Sequence, residues 1–428
     1  MKIKLSKNKE AILILLGLIS VYFSLLPGLG ETQALILFSI GLLTIVNHVL
    51  DFSWEFKVGV KRFCIFIFLF FFIILSFSSV VFSSGGASVF IKYLIAGVIA
   101  LACFRYNPSD HKNSYVPLYF LLGILFLGVL QSFFGAKLFL PIYSVFMPRA
   151  ILSSDLAERG VTILAPEQSY MILIVTLVFL TSLVSMRVNN TNSKFPTLIA
   201  FLVFFVLVKI IGSALGFIML VLFFLSYIFP KVVMKMNFFA TFISLVVSFA
   251  IFRYELYPER FNFVIELVNV TSLSYFLSLV STLEPSGSTR LILGVAAWVE
   301  GIEKVFAITP GVIENEWASI LKAQGYYFLE NHEVLGRQYI NEIPSTPQTL
   351  FYSLLGDYGI VPSVIFLVLI FRMLTYSSAL FKDILFYFIL SYIFIVLFYQ
   401  SGLTSPFLFL AVSLLVHYSK FLKQQNRD

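Results

Sequence analysis

Charged residues are scarce in this chain. Lys, Arg, Asp and Glu together make up 12% of its 428 residues, whereas apolar residues make up 59% and Phe alone occurs 50 times. The mean hydropathy is +0.96. Soluble globular domains carry about twice this share of charge, so the composition excludes that class. We expect an integral membrane protein whose main surroundings are the lipid bilayer.

Residues that ligate metals or form cross-links are also few. The chain has two cysteines, Cys64 and Cys103, and four histidines. Both cysteines fall near predicted cytoplasmic span ends, so we expect no disulfide, and without neighbouring histidines they make no metal site. We therefore predict no metal ion and no other cofactor.

About a dozen long apolar runs occupy the chain. A transmembrane helix needs ~20 mostly apolar residues, and that template predicts twelve spans. Their approximate limits are 10–27, 32–50, 62–82, 88–105, 115–134, 166–186, 196–210, 212–229, 236–253, 356–374, 382–399 and 403–420. The seventh and eighth form one apolar block, which we divide between Lys209 and Gly212. The predicted fold class is an all-α, polytopic integral membrane protein.

Basic residues are distributed unevenly among the predicted loops. Most of the 29 Lys and Arg residues fall in the two tails and in the short loops after even-numbered spans, whereas most acidic residues fall on the other side. The positive-inside rule therefore predicts that both termini are cytoplasmic. The net charge of +7 reflects this topology, and we expect no nucleic-acid partner.

Two outer segments are too long for simple connections. The first covers about 135–165 and the second covers 254–346. The chain is therefore predicted to contain nine spans at 1–253, a large outer helical loop domain at 254–346, and three spans with a cytoplasmic tail at 347–428. Within the second segment, which we call the long polar segment, the pattern predicts a surface helix at 260–282, a break at 284–288 and a helix at 289–306.

The predicted helix at 289–306 has two distinct faces. One is apolar and contains Leu291, Val295, Trp298, Ile302 and Val305. The other carries a strip of small residues behind Arg290, namely Gly294, Ala297 and Gly301. Such a strip leaves room for an anionic, lipid-attached substrate to approach Arg290, or it lets the helix pack tightly on another helix. The sequence leaves both interpretations open.

Three stretches carry a family resemblance. ERGVTILAPEQS at 158–169 resembles an R-x-x-G … E-P-S stretch before a span, although Arg and Gly are adjacent here and the Pro-Glu order is inverted. Residues 289–311 resemble an R … W … P-x-G element of a large outer loop. Residues 345–360, from STPQTLF to DYGI, resemble the element that leads into the next span. Together, over roughly 150–375, they resemble the O-antigen polymerase (Wzy-type) family, which is related to the O-antigen ligases.

The resemblance implies a chemistry and a set of partners. Wzy-type polymerases act on oligosaccharide repeat units linked to undecaprenyl pyrophosphate, at the outer leaflet of the bacterial inner membrane. They are similar to metal-independent, inverting glycosyltransferases of the GT-C type, and a chain-length regulator is a candidate partner. A leaving pyrophosphate that is not bound by a metal calls for arginines, whose planar guanidinium pairs phosphate oxygens bidentately.

Six residues are candidates for such a site. The predicted catalytic residues are Arg290, Arg159 and Glu167, and the predicted substrate-binding residues are Arg149, Lys209 and His332. In this hypothesis the arginines bind the pyrophosphate and Glu167 accepts the proton of the acceptor hydroxyl.

Each candidate also has a structural interpretation. The arginines suit ion pairs, a carboxylate in the first turn of a helix is favoured by the helix dipole, and Lys209 suits snorkelling to the headgroup level. His332 is typical of a solvated loop. Four aromatic residues of the long polar segment suit either sugar stacking or core packing: Trp317, Tyr326, Tyr327 and Tyr339.

Three other functions stay open. A ligase of the same family places a histidine before the span that follows its large loop, where this chain has Pro347 and Gln348. A flippase for lipid-linked oligosaccharides, or another transporter, typically has short outer loops and ionisable residues deep within its spans. A scaffold subunit of a polysaccharide export complex would lack catalysis altogether.

Overall fold

A computed structural model of the protein describes residues 6–22, 34–50, 73–75, 86–110, 113–135, 139, 141, 143, 161–163, 165, 167–189, 194–228, 272–283, 285–306, 311–345, 347, 349–375, 383–399 and 405–425. Within these ranges the architecture is all-helical, which confirms the predicted class. The predicted span at 236–253, and that at 62–82 except for 73–75, lie outside the described residues.

The described ranges contain fifteen α-helices. In chain order they are α1 (Lys7–Ile19), α2 (Leu35–Leu50), α3 (Gly86–Arg105), α4 (Val116–Phe134), α5 (Gln168–Val188), α6 (Lys194–Ile211), α7 (Ala214–Ile228), α8 (Leu273–Leu283), α9 (Pro285–Glu303), α10 (Val312–Ala323), α11 (Gly336–Ile340), α12 (Leu350–Tyr358), α13 (Ile360–Thr375), α14 (Ile384–Phe398) and α15 (Phe407–Gln425). Short 3₁₀ turns lie at Pro108–Asp110 and Tyr327–Asn331.

Three of these helices, α4, α5 and α6, are long and apolar enough to cross a membrane, with mean hydropathies of 2.0, 2.2 and 2.2. Shorter apolar stretches are Leu35–Val46, Ile360–Ile370, Ile384–Phe398 and Phe407–Leu422. The part of the chain that the structure describes therefore has the character of a membrane protein. It does not reach the predicted number of twelve membrane-length spans.

Two glycines divide apolar runs into separate helices. α6 ends at Ile211, and Gly212 (φ 68°) turns the chain before α7, where we predicted the division. The run predicted as one span at 356–374 is divided as well, because Gly359 has φ 82° and separates α12 from α13. Only a residue without a Cβ fits there, since a side chain would meet the carbonyl of Lys304.

α5 is the central helix of the bundle. It packs against α4, α6, α7 and α15, and every residue from Met171 to Met186 is buried. Two of its interior hydroxyls are satisfied within the helix, as Thr181 and Ser182 donate to the carbonyls of Leu177 and Val178.

The outer surfaces of α4 and α6 are apolar. The exposed side chains include Tyr119, Leu122, Phe126, Phe133 and Phe134 on α4, and Phe195, Leu198, Leu202 and Phe205 on α6. Stripes of this size on membrane-length helices suit contact with lipid.

The described part of the long polar segment has a core of its own, formed by α8 to α11. Trp317 lies at its centre, where its ring packs against Tyr339 at 5.9 Å and its Nε1 donates to the carbonyl of Ile343 at 3.0 Å. Tyr326 is also buried, whereas Tyr327 is exposed. Core packing therefore explains the positions of three of the four aromatic residues that were candidates for sugar stacking.

The predicted helix at 289–306 is displaced along the chain. α9 begins four residues earlier, at Pro285, and ends at Glu303. Pro285 suits the first position of a helix because its missing N–H would have no intrahelical partner there. Residues 285–288 of the expected break at 284–288 are therefore helical, and 284 lies outside the described residues. The surface helix predicted at 260–282 is observed as α8, and 260–271 lie outside the described residues.

Candidate functional site

The strip of small residues on α9 is a helix-packing surface. An added Cβ at Gly294 would lie 2.7 Å from the ring of Tyr352, and one at Gly301 would lie 2.5 Å from the backbone oxygen of Leu355. Both neighbours belong to α12, so this strip is filled by protein. Of the two interpretations that the sequence left open, close helix packing describes these positions.

Arg290, in the second turn of α9, meets residues from two other helices. Its Nη2 donates to Ser169 Oγ at 3.0 Å and lies 3.5 Å from Glu167 Oε2. Its Nη1 donates to the hydroxyl of Tyr399 at 3.4 Å, and its Cζ lies 5.3 Å from the centroid of that ring. Each of these three residues is more than one hundred positions away from Arg290 in the chain. The structure thus brings together two predicted catalytic residues, Arg290 and Glu167.

The two charged partners differ in exposure. The Arg290 side chain is 7% exposed, whereas that of Glu167 is 31% exposed. Burial alone lowers the pKa of Arg290, but the oxygens of Tyr399, Tyr170 and Glu167 favour the cation and hold the pKa above its ordinary value. A permanently charged guanidinium is therefore covered by protein, and its carboxylate partner is the half of the pair that solutes can reach.

Glu167 lies directly before the first turn of α5 and not within it. It was expected in the first turn of the sixth span, but it is the N-cap of α5, with extended backbone (φ −141°, ψ 153°). Its backbone oxygen accepts from the N–H groups of Tyr170 and Met171 at 3.2 Å each, while its side chain caps no N–H. The carboxylate instead accepts from Ser169 Oγ at 3.4 Å and pairs with Arg290.

α5 and α14 are antiparallel and are held at both ends. At one end, Arg290 bridges the start of α5 and Tyr399, which caps the end of α14. At the other end, Arg187 Nη2 in the last turn of α5 pairs with Asp383 Oδ2, the N-cap of α14, at 2.6 Å. The candidate site therefore lies at one end of the largely buried helix α5.

A buried polar clamp fixes the chain just before Glu167. Ile163 has a positive φ of 52°, which is strained for a β-branched residue. Its N–H donates to Gln131 Oε1 at 2.7 Å, and its carbonyl accepts from the Tyr143 hydroxyl at 2.9 Å. Gln131 Nε2 in turn donates to Tyr143 at 3.0 Å. These bonds hold a strained turn four residues ahead of the carboxylate.

The buried carboxyl group of Asp357 connects the long polar segment to α3. Asp357 accepts from the backbone N–H of Gly311 at 2.9 Å and from the hydroxyl of Tyr93 at 3.1 Å. Lys92 of α3 and Glu314 of α10 also form an ion pair at 2.8 Å. Asp357 lies on α12, before the apolar stretch that begins at Ile360. Burial raises its pKa to about 7 although both hydrogen bonds favour the charged form.

His332 is part of the fold of the long polar segment. Its Nδ1 accepts from the N–H groups of Val334 and Leu335 at 3.1 Å each, and its Nε2 lies 2.8 Å from Ser288 Oγ. An Nδ1 that accepts leaves the proton on Nε2, which donates to the serine. Burial also lowers the pKa of His332. A neutral ring with both nitrogens engaged suits a turn-holding role, and its contact with substrate stays a prediction.

The remaining predicted residues have different outcomes. Arg149 and Arg159 lie outside the described residues. Lys209 is exposed in the last turn of α6, and no contact in the described ranges joins it to Arg290. Among those ranges, no group of three or more His, Cys, Asp or Glu side chains is arranged to hold a metal ion.

Sequence reasoning missed Tyr399 and gave Ser169 no role. Both lie where a predicted span meets its outer loop: Ser169 lies in the first turn of the sixth span, and Tyr399 ends the eleventh. The predicted topology places these two span ends on the same side of the membrane as Arg290, and that was the available signal.

Comparisons of the chain with models of protein families, with curated proteins and with solved structures give no match. The family resemblance therefore rests on the three motifs.

Proposed function

We propose that this protein is a polysaccharide polymerase that extends glycans from oligosaccharide repeat units linked to undecaprenyl pyrophosphate. The observation that carries the proposal is the burial of Arg290 against Glu167, Ser169 and Tyr399. A fixed cation beside a reachable carboxylate is suited to a reaction that expels a pyrophosphate and deprotonates a hydroxyl.

The residues divide the chemistry between them. A hydroxyl of the acceptor unit attacks the anomeric carbon of the donor glycan, the bond from that carbon to the pyrophosphate oxygen breaks, and its electron pair leaves with the lipid pyrophosphate. Glu167 takes the hydroxyl proton. Arg290 is held in place before substrate binds by Ser169 and by the ring of Tyr399, and its positive charge stabilises the phosphate oxygens whose negative charge grows.

The proposal includes a location. The protein lies in the bacterial inner membrane with both termini in the cytoplasm, and the Glu167 end of α5 faces the outer side, where lipid-linked units are exposed. The distribution of Lys and Arg in the sequence supports this orientation. A GT-C-like arrangement of the spans is part of the same proposal.

A reconstituted system tests the proposal against its rivals. Purified protein in lipid vesicles is incubated with lipid-linked repeat units, and the products are separated by size. A ladder of longer glycans on the lipid carrier is the expected result. Movement of units across the bilayer without lengthening would instead indicate a flippase, and transfer to a lipid A acceptor a ligase. No reaction of any kind would indicate a scaffold.

A further inference from the structure

One face of α9 remains uncovered toward the end of the helix. Along the predicted apolar face, Trp298 is 41% exposed and Ile302 is 55% exposed, and Val305 and Phe306 just beyond the helix are 64% and 62% exposed. The neighbouring strip of the same helix is packed on α12 through Gly294 and Gly301, and one edge of the Trp298 ring contacts Phe351 of α12, with 6.3 Å between the ring centroids. The uncovered side chains, Trp298, Ile302, Val305 and Phe306, are called the α9 apolar face below.

This face continues onto α13. The N–H groups of Ile360 and Val361 donate to the carbonyls of Lys304 and Val305, at 3.4 and 3.1 Å, so the end of α9 is bonded to the first turn of α13. α13 is an apolar helix with an exposed stripe at helical spacing: Val361, Val364, Ile365 and Val368. The two exposed apolar surfaces therefore adjoin each other.

We propose that the α9 apolar face is immersed in the interfacial layer of the bilayer, at the level where α13 enters the membrane. The occupant is lipid because the face adjoins an exposed stripe of Val and Ile on an apolar helix, for which lipid is the natural solvent. A tryptophan at the edge of such a stripe is typical of the membrane–water boundary. Glu303, which follows Ile302 directly in the chain, is exposed, and polar residues beside the apolar face are typical of interfacial helices.

The inference has a consequence for Arg290. Arg290 precedes Trp298 by eight residues in α9, which corresponds to about 12 Å along the helix axis. An immersed α9 therefore places the buried guanidinium near the level of lipid headgroups, where a lipid-linked pyrophosphate lies. This consequence rests on the proposed function, whereas the immersion itself does not depend on it.

Tryptophan fluorescence tests the immersion directly. The chain has three tryptophans, and one of them, Trp317, is fully buried. The experiment uses a Trp54→Phe variant, which retains only Trp298 and Trp317. This variant is reconstituted into vesicles whose lipids carry bromine near the glycerol end of the acyl chains. Bromolipid should quench most of the Trp298 emission, and aqueous acrylamide should quench little of it. In a matched Trp54→Phe/Trp298→Phe variant, the remaining Trp317 emission should resist both quenchers.

Two results overturn the inference. Strong quenching by acrylamide without quenching by bromolipid would place Trp298 in water, and quenching by neither would mean that protein covers it. A nitroxide label at Ile302→Cys gives an independent reading if the tryptophan variants fail to fold. Its relaxation should respond to dissolved oxygen more than to a water-soluble nickel complex, and the reverse order would also refute immersion.

Discussion

Replacement of Arg290 by alanine should abolish most polymerisation while leaving the fold intact. The substitution removes a guanidinium that is 7% exposed and contacts three side-chain oxygens, at 3.0, 3.4 and 3.5 Å. In the proposed reaction its positive charge stabilises the leaving pyrophosphate. Loss of one such prearranged group typically costs ~100- to 1,000-fold in rate, which corresponds to about 3–4 kcal/mol of transition-state stabilisation.

The effect on stability should be much smaller. A charge left alone in the interior is costly, but the Glu167 side chain is 31% exposed, so water can solvate its carboxylate once Arg290 is gone. Arg290→Lys keeps the charge and loses the planar fork, so its rate should fall between those of the wild type and the alanine variant.

The assay is the initial rate of ladder formation in vesicles, with thermal unfolding measured in parallel. Arg337→Ala is the matched control because Arg337 is an exposed arginine of the same long polar segment. Its rate should equal that of the wild type. If Arg290→Ala also retained the wild-type rate with an unchanged Tm, the guanidinium would have no part in the chemistry.

Three further changes have expected outcomes. Asp357 has a folded pKa of about 7 against an ordinary 3.8, so the folded state binds its proton more tightly and the free energy of unfolding should fall as pH rises from about 4 to 7. Asp357→Asn should flatten this part of the Tm–pH curve, and parallel curves for the two proteins would contradict the argument. Gln131→Leu removes the acceptor of the buried Ile163 N–H at a cost of ~1–3 kcal/mol, so both Tm and polymerisation should fall, whereas the neighbouring Ser132→Ala should change neither. Cysteines at Gln324 and Gln424 should react with an impermeant maleimide from the outer side and from the cytoplasmic side respectively, and the opposite pattern would invert the topology.

Several helix limits could be predicted from the sequence because they depend on local composition. The run at 115–134 is observed at Val116–Phe134, and the block at 196–229 divides at Gly212. An apolar run long enough to span lipid and a glycine that permits a positive φ are properties of a few adjacent residues. The two faces of α9 were also visible in advance, since helical spacing places residues on one side whatever the neighbours are.

The partners of those faces were decided by the tertiary structure. Arg290 and Glu167 were both candidates, but nothing within a few residues of either one indicates that they pair across 123 positions. The small strip suited a ligand as well as a helix until α12 was found against Gly294 and Gly301. A buried charge or a glycine strip acquires its partner only when helices from distant parts of the chain assemble, and that arrangement depends on all their contacts at once.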